Sequence, residues 1–143
     1  MNTINSVLVV DDSDVDFDLI SWGFKQNGFE PLMMRGKTAE EGLEILTKND
    51  DPQGLTCGFP IMILLDIKMP GMGGFGFLKK LDELGFGKKI PVIMLSSSSN
   101  PGDMTVSYQL GATGFVRKPA SLMEYAAKMK DVMALCFVRD TDQ

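Results

Sequence analysis

The chain has 143 residues, of which 44% are hydrophobic and 23% charged, with a formal net charge of −5; this is the composition of one globular domain long enough to bury a sizeable core. No basic run tracks a phosphate backbone, so nucleic acid is not expected as a direct partner, and no stretch approaches the roughly 20 apolar residues of a membrane span. There is no histidine, which excludes a Ser/His/Asp triad, a Cys/His dyad and any His-ligated metal, and leaves carboxylates, hydroxyls, lysines and backbone to carry chemistry.

The opening, MNTINSVLVV, lacks a basic segment leading into a long apolar run, so no secretory signal is expected and a cytoplasmic protein is. Ser6 to Val10 is a short apolar run closed by Asp11-Asp12 and predicts a buried strand. A helix follows over 14–26, with Val15, Leu19, Trp22 and Phe24 near helical spacing and Asn27-Gly28 as its stop. Glu30 to Arg35 predicts a second strand. Thr38 to Lys48 predicts a second helix, opened by Thr38 and Glu41 in capping-box spacing.

Residues 49–59 hold Asp-Asp-Pro and two glycines without periodicity, and predict a loop. Ile61 to Leu65 is a third strand, apolar throughout and therefore covered on both faces. It runs straight into Asp66 and the Pro/Gly-rich loop 69–74. A helix is predicted over 75–84 and a fourth strand over Pro91–Leu95. Serines then lead to Asn100-Pro101, an N-cap with proline at the first helical position, and that helix ends near Gly111. Gly114 to Arg117 is a short fifth strand. Ser121 and Glu124 repeat the capping-box spacing before a last helix with apolar positions 122, 125/126, 129, 132/133 and 136. Cys57 and Cys136 have no metal spacing and read as a loop thiol and a buried helix thiol.

Five alternating strand–helix units predict an α/β fold with a parallel sheet covered on both faces, in one domain spanning 1–143. All strand carboxyl ends of such a sheet lie along one edge, where ligands bind. Asp11 and Asp12 follow the first strand, Asp66 the third, Ser96 the fourth, and Lys118-Pro119 the fifth. Asp11-Asp12, Asp66 and Ser96 each alone read as turn, loop or cap residues, and Lys118-Pro119 alone is uninformative; together they place three carboxylates, a hydroxyl and an ammonium on one edge. Clustered carboxylates repel unless a cation joins them, and oxygen ligands of this kind suit Mg²⁺. Asp66 can then act as a nucleophile that accepts a phosphoryl group, with Lys118 and the metal offsetting its charge and Ser96 donating to a phosphoryl oxygen.

The motifs VLVVDD (7–12), ILLDIKMPGMGG (63–74), PVIMLSS (91–97) and GATGFVRKP (111–119) resemble the receiver domain of two-component response regulators, over about residues 5 to 137. The resemblance implies a flavodoxin-like, CheY-like sheet of order 2-1-3-4-5. It implies phosphorylation of Asp66 by a sensor histidine kinase or histidine phosphotransfer protein, and action on a downstream protein target. It carries Mg²⁺ binding onto Asp11, Asp12, Asp66 and the backbone carbonyl of Lys68, the switch hydroxyl onto Ser96, the lysine onto Lys118, a cis proline onto Pro119, and the rotating switch aromatic onto Phe115. The reshaped surface would be that of the fourth helix, fifth strand and fifth helix.

The chain ends soon after its last helix, which resembles single-domain regulators without an output domain. The LSSSSNPGD run and the long loop before the third strand resemble regulators that partner bacterial phytochromes or similar kinases. Dimers are common in that group, and the apolar tail Leu135–Val138 would serve a homodimer contact or pack on the domain's own sheet. Gly73 departs from the Asp or Ser found in many receivers, and Lys68 sits at the rim of the site. Two alternatives remain open. Asp12-Ser13-Asp14-Val15 fits the start of haloacid-dehalogenase-like phosphatases, with Asp12 as nucleophile; and a receiver that never takes up phosphate would be a docking module only.

Overall fold

The computed structural model describes residues 5–48, 59–87, 89–97 and 100–141, the side chains of 138–141 excepted. Five strands alternate with five helices: β1 (Ser6–Val10), α1 (Asp14–Gln26), β2 (Leu32–Gly36), α2 (Ala39–Lys48), β3 (Met62–Asp66), α3 (Gly73–Glu83), β4 (Val92–Ser96), α4 (Pro101–Gln109), β5 (Gly114–Arg117) and α5 (Leu122–Thr141). The strands are parallel, as the strand–helix alternation predicts, and ordered β2-β1-β3-β4-β5, as the resemblance implies.

Alternate strand residues feed two cores. Leu8, Val10, Ile63, Leu65 and Met94 point to one face and pack with Leu43 and Leu46 of α2 and Phe77, Leu78 and Leu81 of α3. Val7, Val9, Met62, Leu64, Ile93 and Leu95 point to the other and pack with Ile20 and Phe24 of α1 and Tyr125, Met129, Val132 and Cys136 of α5. Both faces are covered, which is why β1, β3 and β4 are apolar almost throughout rather than alternating.

Several predicted boundaries and faces shift. β2 begins at Leu32 because Pro31 has no N–H to give to a ladder; the Leu32 amide donates to Asn5 O instead. β3 and β4 each run one residue further than predicted, so Asp66 and Ser96 are themselves strand residues. On α1 the buried residues are Ile20, Gly23 and Phe24, while Val15 is 64% exposed. Two overlapping stripes have helical spacing there, and apolar content alone does not choose between them. Leu122 and Met123 are likewise exposed in the first turn of α5.

The caps follow the sequence. Asn100 accepts from the Gly102 amide ahead of Pro101, Thr38 Oγ1 from the Glu41 amide, and Ser121 Oγ from the Glu124 amide. Cys136 is buried, as expected, and Cys57 lies outside the described residues. The cis bond expected before Pro119 is not found: it is trans, the form an X–Pro amide favours by about 0.5–1 kcal/mol.

Candidate functional site

Register builds the site. Val10 pairs with Leu65, Asp66 with Leu95, and Ser96 with Arg117. The residues immediately past those pairs therefore meet at one edge: Asp11 beside Asp66, and Lys118 beyond Ser96. The Lys118 amide donates to Ser96 O at 2.7 Å, which closes the edge. Asp11, Asp66 and Ser96 are buried, and Asp12 is exposed at the rim. Carboxylate oxygens of Asp11, Asp12 and Asp66 lie within 4.8 Å of one another. The Lys118 ammonium sits 3.3 Å from Asp11 Oδ2 and 3.3 Å from Asp66 Oδ2.

Burial in this cluster works against charge. It pushes the Asp11 carboxyl up to about 6, opposed by the Ser13 amide and Lys118 and reinforced by Asp66 and Asp16. Burial likewise raises Asp66, against the pull of Lys118 and the Lys68 amide. Burial would lower Lys118, but its hydrogen bond to Asp16 and the charges of Asp11 and Asp66 raise it well above the usual lysine range, so it stays an ammonium. Asp11 Oδ2 is buried and accepts no hydrogen bond; the Lys118 ammonium at 3.3 Å faces it as an ion pair. A buried carboxylate oxygen that accepts no hydrogen bond, beside two more carboxylates, is the donor set of a hard divalent cation, so Asp11, Asp12 and Asp66 fit a Mg²⁺-type ion.

Four residues important to this geometry were missed in the sequence. Asp16 takes Lys118 Nζ at 2.6 Å and the Tyr125 hydroxyl at 3.2 Å. Arg35 donates through Nε and Nη2 to the Asp11 carbonyl at 3.3 and 3.2 Å, pairs with Asp14 through Nη1, and lies over the Phe17 ring. Gly74 comes so close that a Cβ there would be 2.4 Å from Asp66 O. For Asp16 the available signal was its place on the first turn of α1, five residues after Asp11. Arg35 and Tyr125 gave none, since their roles depend on contacts distant in sequence.

The other predicted residues fall around the core of the site. The Lys68 amide donates to Asp66 Oδ1 at 3.3 Å, and the residue is exposed. Phe115 is half-buried against the α2/α3 core and pairs in register with Met94. Gly73 has φ +72°, a left-handed conformation that suits glycine better than the Asp or Ser the resemblance leads one to expect there. Asp14, second acid of the phosphatase-like motif, is turned outward to Arg35, and Ser13 caps α1 by accepting from the Asp16 amide.

Three carboxylates and an ammonium at the carboxyl edge of a parallel α/β sheet are the class of site these features define. Residues 7–130 match the response regulator receiver domain family, and the chain belongs to it. It is 31% identical to the phosphate regulon transcriptional regulatory protein PhoB of Escherichia coli over 127 residues, 89% of this chain and 51% of that protein. The chain thus spans about half the length of the curated relatives it matches. The chemotaxis protein CheY4 of Vibrio cholerae has the same fold at 26% identity and a TM-score of 0.70, covering 91% of this chain and 98% of that one. The phosphorylated cyanobacterial phytochrome response regulator RcpA superposes with a TM-score of 0.77 at 22% identity, over 94% of each chain. The family match leaves nothing in favour of the phosphatase alternative. Among the described residues no helix is long and apolar enough to cross a membrane.

Proposed function

We propose that the chain is a single receiver domain, spanning 1–143, that takes a phosphoryl group onto Asp66 from a phosphohistidine of a sensor kinase or histidine phosphotransfer protein in the cytoplasm. The observation that carries this reading is the convergence of Asp66, Asp11, Asp12 and Lys118 at one strand edge. An Asp66 carboxylate oxygen attacks phosphorus, the P–N bond breaks, and the leaving imidazole takes a proton, giving an acyl phosphate that water later hydrolyses to aspartate and inorganic phosphate. Asp11, Asp12, Asp66 and the Lys68 carbonyl would hold Mg²⁺, which when bound would supply positive charge against the transferring group. Lys118 neutralises a phosphoryl oxygen, and Ser96 donates to another. Drawing Ser96 inward frees space into which Phe115 turns, which reshapes the α4–β5–α5 face for a downstream protein target. The LSSSSNPGD run supports a kinase of the bacterial phytochrome type as partner. A homodimer remains part of the proposal, with 41%-exposed Leu135 available; Cys136 and Phe137 pack on the domain's own core.

Intact mass after incubation with acetyl phosphate and Mg²⁺ tests the acceptor. Wild type should gain one hydroxylamine-labile phosphoryl group and Asp66→Asn none. A gain that survives Asp66→Asn moves the nucleophile to another residue, with Asp12 the first suspect. No gain in wild type, with acetyl phosphate or with a histidine kinase, supports the docking module.

A further inference from the structure

Asp16 has no part in the phosphoryl-transfer steps proposed above. Its side chain, 19% exposed, takes the Lys118 ammonium through Oδ2 at 2.6 Å, a closer contact than the 3.3 Å to Asp11 or to Asp66. Its other oxygen, Oδ1, accepts from the hydroxyl of Tyr125, a buried residue on the first turns of α5. One carboxylate therefore joins α1, the segment after β5, and α5. The two helices are fastened to each other independently. Asn27 Nδ2 donates to Gly23 O and to Ala126 O, each at 2.8 Å, and a Cβ on Gly23 would lie 2.9 Å from the Tyr125 carbonyl oxygen. Asp16 thus sits on a fixed frame, and the Lys118 side chain is the partner able to leave.

We propose that Asp16 is a positioning residue that holds the Lys118 ammonium back from Asp66 and thereby sets how readily the site takes up a phosphoryl group. This rests on Asp66 being the acceptor. A charge-assisted bond at 2.6 Å is of the short, strong kind, and the two 3.3 Å contacts are weaker. A phosphoryl group on Asp66 brings new oxygens and more negative charge to Lys118, and must draw the ammonium from Asp16 to be neutralised by it. Removing the Asp16 charge removes the competitor. Tyr125 then reports the exchange, because the Asp16 carboxylate divides its lone pairs between the ammonium and this hydroxyl.

Beryllofluoride with Mg²⁺, as a phosphoryl mimic, is the probe, titrated into wild type, Asp16→Asn and Asp16→Glu. The chain has two tyrosines, so tyrosine labelled with ¹³C at Cζ gives two resonances. In Asp16→Asn the half-saturating concentration should fall about 3- to 10-fold, the scale of one partly exposed charged contact, and Asp16→Glu should restore it toward wild type. Without the probe, Asp16→Asn should shift the Tyr125 resonance and leave that of exposed Tyr108 in place; in wild type, titration should shift Tyr125. If the Asn variant does not fold, Asp16→Ser, too short to reach Lys118, takes its place. An unchanged or raised half-saturation in the variant, with normal saturation in wild type, overturns the role of Asp16 and leaves the acceptor intact. Absence of saturation in wild type removes the acceptor reading and this inference together.

Discussion

The two sides of the sheet near β5 are fastened very differently. On one side α1 and α5 press together: Ile20, Phe24, Tyr125, Met129, Val132 and Cys136 are buried, Phe24 and Phe29 meet edge to face, and Asn27 ties the helices through backbone carbonyls. On the other side α4 buries Ser107 alone among its residues, and leaves Met104, Val106 and Tyr108 substantially exposed. Hydrophobic burial scales with the apolar area removed from water, so α5 is anchored by its packing and α4 chiefly by its cap and its chain connections. On the proposed reading, a local event at Ser96, five residues before α4 in the chain, would therefore have a weakly packed element on one side and a closely packed pair of helices on the other.

The largest effect expected breaks the closely packed side. Phe24 is fully buried in the α1/α5 core, and Phe24→Ala should cost about 3–5 kcal/mol from lost burial and the cavity left behind. Urea unfolding followed by circular dichroism measures it.

Next comes the charge buried at the site. Asp11 has its folded pKa at about 6 against an ordinary 3.8. Between these values the native state binds a proton that the unfolded chain has released. The unfolding free energy therefore falls as pH rises from about 4 to about 6, and the loss is complete above that window. Asp11→Asn should remove this dependence and gain on the order of 1–3 kcal/mol at pH 7.5 in Mg²⁺-free buffer. Thermal unfolding of the two proteins across pH 4–8 reads it: equal slopes would mean that Asp11 is not desolvated as its burial implies. On the proposed reading, added Mg²⁺ should return stability to wild type and little to the variant, since it binds the folded carboxylate set.

A smaller effect is expected at the seam of α1 and α5. A Cβ on Gly23 would lie 2.7 Å from Met129 Cγ and 2.9 Å from the Tyr125 carbonyl oxygen. The methionine side chain can yield but the carbonyl cannot, so Gly23→Ala should cost about 1–2 kcal/mol despite alanine's better helix propensity. A stabilised variant would show that the seam is looser than its geometry.

How much of this was legible in the sequence depends on the range of each interaction. The central strands were readable because a two-faced parallel strand is written as a continuous apolar run, and the carboxylates because they stand at strand ends, Asp11-Asp12 directly after β1 and Asp66 as the last residue of β3. Caps such as Asn100-Pro101 and Ser121/Glu124 are local and were readable too. The face of α1 was not, because Val15 and Phe24 both fit a helical stripe and only contact with α5 selects one. The same holds for Asp16: its partners, Lys118 and Tyr125, lie 102 and 109 residues away. Gly74 was visible as part of a glycine-rich loop, but its close approach to the Asp66 carbonyl was not. The expectation at Pro119 came from resemblance rather than from residues, and the backbone there is trans.

The smallest effects are the ones that sharpen the contrast. Met104 and Val106 are each 37% exposed and Tyr108 is 49% exposed, so Met104→Ala, Val106→Ala and Tyr108→Ala should each change stability by no more than about 0.5 kcal/mol. Ser107, though buried, should behave similarly: its hydroxyl donates to Asp103 O within the same helix, so Ser107→Ala loses only a bond internal to α4 and gains helix propensity. A helix insensitive to all four substitutions is ordered locally, by Asn100 and Pro101 at its start, rather than held by the sheet. Hydrogen exchange distinguishes these two sources of order. Amides of α4 should open with a free energy well below that of α5 residues 125–136, whose release requires separating α5 from α1 and the sheet. Equal protection in the two helices would mean that α4 is held as firmly as the α1–α5 wall, and the weak element needed for a switch at Ser96 would have to be sought elsewhere.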